Sequence, residues 1–141
     1  MVATKVALVA GDMTDIARTV TRSVEISVQR LKVPVTLIQL HNRVGLARAP
    51  KAEFGSGAVL TVDDVLGQGG VIEAFESLRE RGLVEFFGCS SYGGHMASVH
   101  SLIDSDKFDA IVMSYSMLNQ TAWIVPGPFP PVRDYGCAGA R

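Results

Sequence analysis

Four short apolar runs, set apart by helical and loop sequence, constrain this chain more than any other feature. They are Val2–Val9, Val35–Leu40, Val84–Cys89 and Asp109–Tyr115, rich in Val, Ile and Leu. Strands buried on both faces read this way, because neither face is left to water. After the first run, Ile16, Val20, Val24, Val28 and Leu31 recur at helical spacing. They draw one apolar stripe, with Arg18, Arg22, Glu25 and Arg30 elsewhere around the helix. Asp12 or Thr14 is expected to cap it, since a short side-chain oxygen accepts a free backbone N–H. Pro34 stops it. A second helix is predicted over Val71–Arg81, with Ile72, Phe75 and Leu78 inward and Gly82 just past its end. A third is predicted over about His95–Ser105, with Met96, Val99, Leu102 and Ile103 on one face. The order βαβαβαβ predicts an α/β protein: a parallel sheet joined by right-handed crossovers.

Residues 43–70 interrupt the rhythm. They hold Gly45, Gly55, Gly57, Gly67, Gly69 and Gly70, together with Pro50, Arg43, Arg48, Lys51 and Glu53. A long loop is expected there, with one helical turn near Thr61–Leu66; connections of that length tend to be functional or flexible. A Pro-rich loop follows over residues 124–133, and Asp134–Arg141 reads like the first turns of an unfinished helix. Strand-like sequence also begins at Val2 with nothing before it. A truncated domain and a frayed tail fit these ends equally well.

Composition narrows the function classes. The 141 residues suit one domain, and at 48% hydrophobic they exclude a disordered chain. A net charge of −1 argues against a nucleic-acid binder, which needs a basic excess. No apolar stretch is long enough for a membrane helix, and none follows the N-terminus as a signal-peptide core would. Cys89 and Cys137 form no C-x-x-C pair and suit a reducing compartment. A cytoplasmic chain with no membrane partner is the expectation. A closed eight-stranded β/α barrel needs about 250 residues, or roughly 200 at the least, so this length does not close one.

In parallel α/β folds ligands gather at the carboxyl ends of the strands. The first strand carries Lys5 inside an apolar run, the second ends in His41-Asn42, and the third in Cys89-Ser90-Ser91-Tyr92. The fourth ends in Tyr115-Ser116, with Asn119-Gln120 a little later. A buried lysine must pair or lose its proton, whereas one at a sheet edge simply reaches solvent. Both readings of Lys5 stand at this point. His41 is either a proton or hydrogen-bond donor near neutral pH, or a strand-end histidine bonded to backbone. Several motifs fail. Gly88-Cys-Ser90-Ser-Tyr92 approaches a nucleophile elbow, but a tyrosine occupies the final glycine position. Gly67-Gln-Gly69-Gly70 lacks the lysine of a phosphate loop and no strand is expected before it, so it reads as a hinge. His95 and His100 stand five apart, off a common helical face, and no metal site is expected. Met96, Met113 and Met117 read as core.

The ordered set of Thr4-Lys5-Val6, Ser23-Val-Glu-Ile-Ser27, Leu37-Ile-Gln-Leu40-His41-Asn42, Phe87-Gly88-Cys-Ser90-Ser91-Tyr92 and Asp109–Asn119 resembles the aldo/keto reductases. The loop after His41 and the segment Asp134-Tyr135-Gly136 look most like the aldose dehydrogenase branch. The resemblance implies a partial TIM barrel, a half-barrel fragment matching strands three to six of eight, within a single domain of residues 1–141. It implies hydride transfer between NADP or NAD and a sugar or simple carbonyl. It places Lys5 where the family's lysine lowers the pKa of a catalytic tyrosine, and His41 where the family's histidine bonds the substrate oxygen. It places Ser90 and Ser91 at the nicotinamide carboxamide. The family usually has Asn at Ser91 and Gln at Val112, so that contact is weakened or rerouted here. The family's catalytic Asp and Tyr lie upstream of Lys5, and its pyrophosphate and adenosine clamp lies in the last two strands. None of Tyr92, Tyr115 and Tyr135 stands at the catalytic tyrosine's place. The expectation is therefore a chain with little or no activity alone. Two other readings are a non-catalytic module that oligomerises through exposed sheet edges, and a hydrolase using Ser90 or Cys89 with His41.

Overall fold

The computed structural model describes residues 1–52, 56–90 and 95–112. The predicted Pro-rich loop, the final helix start, Cys137, Ser91 and the end of the fourth strand run lie outside them.

The main sheet has four strands, all parallel: β1 (Ala3–Val6), β2 (Val35–Leu40), β5 (Val84–Ser90) and β6 (Ala110–Val112). Their spatial order is β1-β2-β5-β6, which is also their chain order. The strand order never reverses, so the sheet has no switch point of the doubly wound kind. The helices are α1 (Ile16–Leu31), α2 (Val62–Leu66), α3 (Val71–Glu80) and α4 (Met96–Asp104). The parallel α/β expectation therefore holds, and β2 occupies the predicted residues.

All the crossovers pack on one face. Val6, Ile38, Leu40, Phe87 and Cys89 from the strands join Ile16, Val20, Val24, Phe75, Leu78 and Leu102 from the helices in a single core. Phe75 and Phe87 stack with ring centroids 5.3 Å apart, and the Arg79 guanidinium lies 4.3 Å over the Phe87 ring. The α1 stripe is buried at Ile16, Val20 and Val24, while Leu31, the last residue of the helix, is exposed.

Beyond its first pair, Val35 and Val84, which is buried in the core, the opposite face is bare among the described residues. Register sets Ala3 beside Leu37 and Leu37 beside Phe86. The next row runs Lys5, Gln39, Gly88, Ala110 across all four strands, and beyond it Ser90 stands beside Val112. None of the apolar members of these rows belongs to the core, and Phe86 is 43% exposed.

Four sequence expectations need correction. Residues 43–70 are not one long loop. The predicted turn is present as α2, but β3 (Asn42–Val44) and β4 (Ser56–Leu60) also form a small parallel pair. β3 has only three residues and β4 is interrupted by Gly57, so no periodicity marks them. Second, the α1 cap is Asp15, whose side chain accepts the Arg18 N–H at 3.2 Å. Asp12 instead accepts the Val9 N–H and closes the preceding 3₁₀ turn, Ala10–Thr14. Third, only Ala3–Val6 of the first run is sheet; Leu8 continues past it to meet Asn42 and Ala58. Fourth, the Gly67–Gly70 stretch is a tied turn rather than a hinge. Gly69 C=O accepts the Ala17 N–H at 3.1 Å, while Gly69 N–H donates to Glu73 Oε2 at 2.8 Å. No described helix is long and apolar enough to cross a membrane.

Candidate functional site

Side chains alternate across a strand, and this sorts the candidates. Lys5 lies on the bare face and is exposed, so the solvent-reaching reading of Lys5 is the one observed. No described carboxylate is within ion-pair distance of it; among the described residues the ion pairs are Arg48–Asp64, Arg81–Glu25 and Lys107–Glu76. His41 follows β2 directly. Its backbone N–H donates to Val6 C=O at 2.8 Å, which continues the β1–β2 ladder past Leu40. Its ring is half-buried, between buried Leu40 and buried Asn42, so alternation turns it to the bare face with Lys5 and Gln39. Ser90, half-buried, ends β5 on that face.

Lys5, His41 and Ser90 thus share one face, at the carboxyl ends of three adjacent parallel strands. Gln39 stands between them, a residue whose position the sequence did not single out. The amino-end half of the same face is apolar. There a shallow cavity of about 290 Å³ is lined by Met1, Thr36, Leu37, Phe86, Asp109 and Ala110. Asp109 is engaged, since its carboxylate accepts the Phe87 N–H at 2.8 Å. Among the described residues, Lys5, Gln39, His41 and Ser90 gather in the carboxyl-end half.

Cys89 lies on the other face. Its side chain is in the core and fully shielded, and burial pushes its thiol up to about 12. A thiol held that high is not a nucleophile at neutral pH, and the sheet itself stands between it and the face His41 occupies.

Two further groups brace the carboxyl end. Asn42, fully buried, bonds the backbone of Leu8 and Ala58, tying β4 and the extension of β1 together. Gly57, with φ +74°, packs its Cα against Leu8; a Cβ there would lie 2.2 Å from Leu8 C=O. Only glycine tolerates both that dihedral and that approach. Asn42 ends an apolar run beside His41, and the sequence signal for it is only that adjacency. Farther out, the Asp64 side chain is 2% exposed and accepts the Arg48 Nε–H at 3.0 Å and the Thr61 N–H at 2.8 Å. Burial alone pushes its carboxyl up, but the hydrogen bonds from Arg48 and Thr61 outweigh this and hold it below the usual carboxylate value. The pair fastens residues 45–52 to the start of α2. Among the described residues, no group of three or more His, Cys, Asp or Glu side chains is placed to hold a metal ion.

Fold and site together define a parallel α/β protein, wound in one direction, with a polar cluster at the carboxyl end of the sheet face that no described helix covers. No protein-family model matches the chain, and the curated proteins searched contain no match to it. The functional reading therefore rests on the residues of the site.

Proposed function

We propose that these strands are part of a β/α barrel of the aldo/keto reductase type, whose interior is the bare face, and that the site takes part in NAD(P)-dependent hydride transfer on a sugar or simple carbonyl. The observation that carries the reading is the convergence of Lys5, His41 and Ser90 on that one face. A sheet wound in chain order, with every helix on one side, supports it further. Such a sheet leaves its inner face to the barrel interior, where β/α-barrel enzymes keep their chemistry at the carboxyl ends.

The residues present fit the nicotinamide end of such a cofactor. The face is open, and it offers a hydroxyl at Ser90 and an amide at Gln39 beside a cation at Lys5. When bound, the dinucleotide accepts the hydride leaving the alcohol carbon or supplies it in the reverse direction. The chain's own residues do the rest. His41 hydrogen-bonds the substrate oxygen and stabilises charge developing there. The Lys5 ammonium favours the anionic form of a neighbouring acid–base group, such as the tyrosine that the resemblance implies. That group takes up the hydroxyl proton in oxidation and returns it in reduction. In this reading the acid–base residue comes from barrel strands other than these four. A missing general acid–base group typically costs about 10²–10⁴ in rate.

The test is a fluorescence titration of the chain with NADPH and NADH, followed by assays with aldehydes and aldoses. Saturable binding is expected, with turnover at trace level and abolished by Lys5→Met and by His41→Ala. Absence of nicotinamide binding, or turnover that survives both substitutions, overturns the proposal.

A further inference from the structure

The residue at the centre of the bare face, so far only an amide offered beside Ser90, has a side chain placed with a definite direction. Gln39 lies between Lys5 on β1 and Gly88 on β5 in a single row. It does not stand upright from the sheet. It folds across Gly88, so that a Cβ at position 88 would come 2.8 Å from Gln39 Cγ and 3.4 Å from Nε2. Gly88 is buried although it lies on the uncovered face, and the Gln39 side chain that leans across it contributes to that burial. The absent side chain at 88 is thus the berth that turns the Gln39 amide toward the β5 side of the site, where Ser90 stands two residues farther on.

Among the described residues that amide has no hydrogen-bond partner. Neither Oε1 nor Nε2 of Gln39 makes a hydrogen bond to any described residue, although the side chain is half-buried. A primary amide displays an N–H donor and a C=O acceptor side by side. The group that satisfies both at once is another amide edge, through two antiparallel hydrogen bonds. A carboxylate lacks the donor, and an ammonium lacks the acceptor. Lys5 supplies the positive charge of the row and Ser90 a hydroxyl, so Gln39 contributes what they do not: recognition of a neutral planar amide.

We infer that Gln39, berthed over Gly88, is a specificity residue that pairs edge-to-edge with a carboxamide of the bound ligand. The inference rests on the nicotinamide reading above and deepens it, by naming a β2 residue as a partner of the nicotinamide carboxamide beside Ser90. The amide pair selects for the carboxamide and against the corresponding acid, in which a second anionic oxygen would face Gln39 Oε1.

The probes are nicotinamide mononucleotide and nicotinic acid mononucleotide, titrated into the full chain by NMR; they differ only in amide against carboxylate. Wild type is expected to bind the amide form about 10-fold more tightly, the scale of one or two net hydrogen bonds. Gln39→Leu is expected to abolish this preference while leaving the acid form's affinity unchanged. Gly88→Ala, which removes the berth and keeps the glutamine, is expected to erode the preference in the same way. Gln39→Glu is expected to weaken the amide form further. A preference that persists in Gln39→Leu, or an equal loss for both probes in both variants, overturns the role of Gln39 and leaves the nicotinamide reading standing. Failure of wild type to bind either mononucleotide, or NADPH, overturns both.

Discussion

The carboxamide of Asn42 exchanges hydrogen bonds with the backbone of Leu8 in both directions. Oδ1 accepts the Leu8 N–H and Nδ2 donates to the Leu8 C=O, each at 2.8 Å. The second Nδ2 hydrogen goes to Ala58 C=O at 2.9 Å. Leu8 lies past the paired part of β1, Asn42 past the end of β2, and Ala58 within β4. One side chain therefore closes the carboxyl end of the sheet against the β3–β4 excursion, directly behind His41.

Replacing Asn42 removes all three bonds from a fully buried site. Leu8 C=O keeps a partner, because it also accepts the Ala58 N–H at 2.8 Å. Leu8 N–H keeps none among the described residues. A buried unsatisfied donor costs about 1–3 kcal/mol. Asn42→Ala is therefore expected to destabilise the fold by about 2–3 kcal/mol in urea denaturation. Asn42→Asp is expected to cost at least as much, since it aims a carboxylate oxygen at two carbonyls. A loss below about 1 kcal/mol in both variants contradicts the account.

Much of this architecture is legible in the sequence, and the part that is not has a physical reason. β2 and α3 are marked by unbroken apolar runs and helical spacing, signals that burial on a sheet or helix face enforces. The face assignment follows from parity once Val6, Ile38 and Cys89 are known to be core, and it puts Lys5 and Ser90 together. Sequence alone does not fix the cap of α1, because Asp12, Thr14 and Asp15 are equally short acceptors; a 3₁₀ turn that consumes Asp12 decides among them. β3 and β4 leave no periodicity because each is short and is held by long-range bonds to Asn42, Leu8 and Ala49. Gln39 carries no signal of its own in the sequence, because its significance lies in Gly88, a residue on another strand.

Adjacent phenylalanines test the claim that one sheet face is bare. Phe86 is 43% exposed on the uncovered face, while Phe87 is 1% exposed and packs on Phe75 and Arg79. Phe87→Ala is expected to cost about 3–5 kcal/mol, as for truncation of a buried aromatic. Phe86→Ala is expected to cost about 1 kcal/mol, in line with a side chain that is only part-buried. Chemical denaturation of both variants reads the contrast. Equal costs would mean that something covers the second face in solution.

The two faces also predict thiol chemistry. With Cys137 replaced by serine, Cys89 is the remaining cysteine of the chain. Shielded in the core and pushed up to about 12, its thiol has almost no thiolate at neutral pH. Ellman's reagent at pH 8 is expected to leave it unmodified in the folded protein and to titrate one thiol in urea. Cys89→Ala is expected to leave any nicotinamide binding unchanged. Rapid modification of the folded Cys137→Ser variant contradicts the placement of Cys89 on the helix side of the sheet.

Asp64 gives the fold a predictable acid limb. Its carboxyl is held below its unfolded value of about 3.9 by Arg48 and Thr61, against the opposing effect of burial. The folded state therefore favours the charged form. The resulting stabilisation is complete above about pH 4, the unfolded value, and is lost as pH falls through the lower folded value. Asp64→Asn keeps the shape and removes the charge. At pH 7 it is expected to be less stable than wild type by about 1 kcal/mol, the net scale of a hydrogen bond that the charged form strengthens. The gap is expected to close on acidification below pH 4, as the wild-type carboxylate takes up its proton. Urea midpoints measured between pH 7 and pH 3 read this directly. A gap that stays constant over that range would show that Asp64 acts by shape alone and not through its charge.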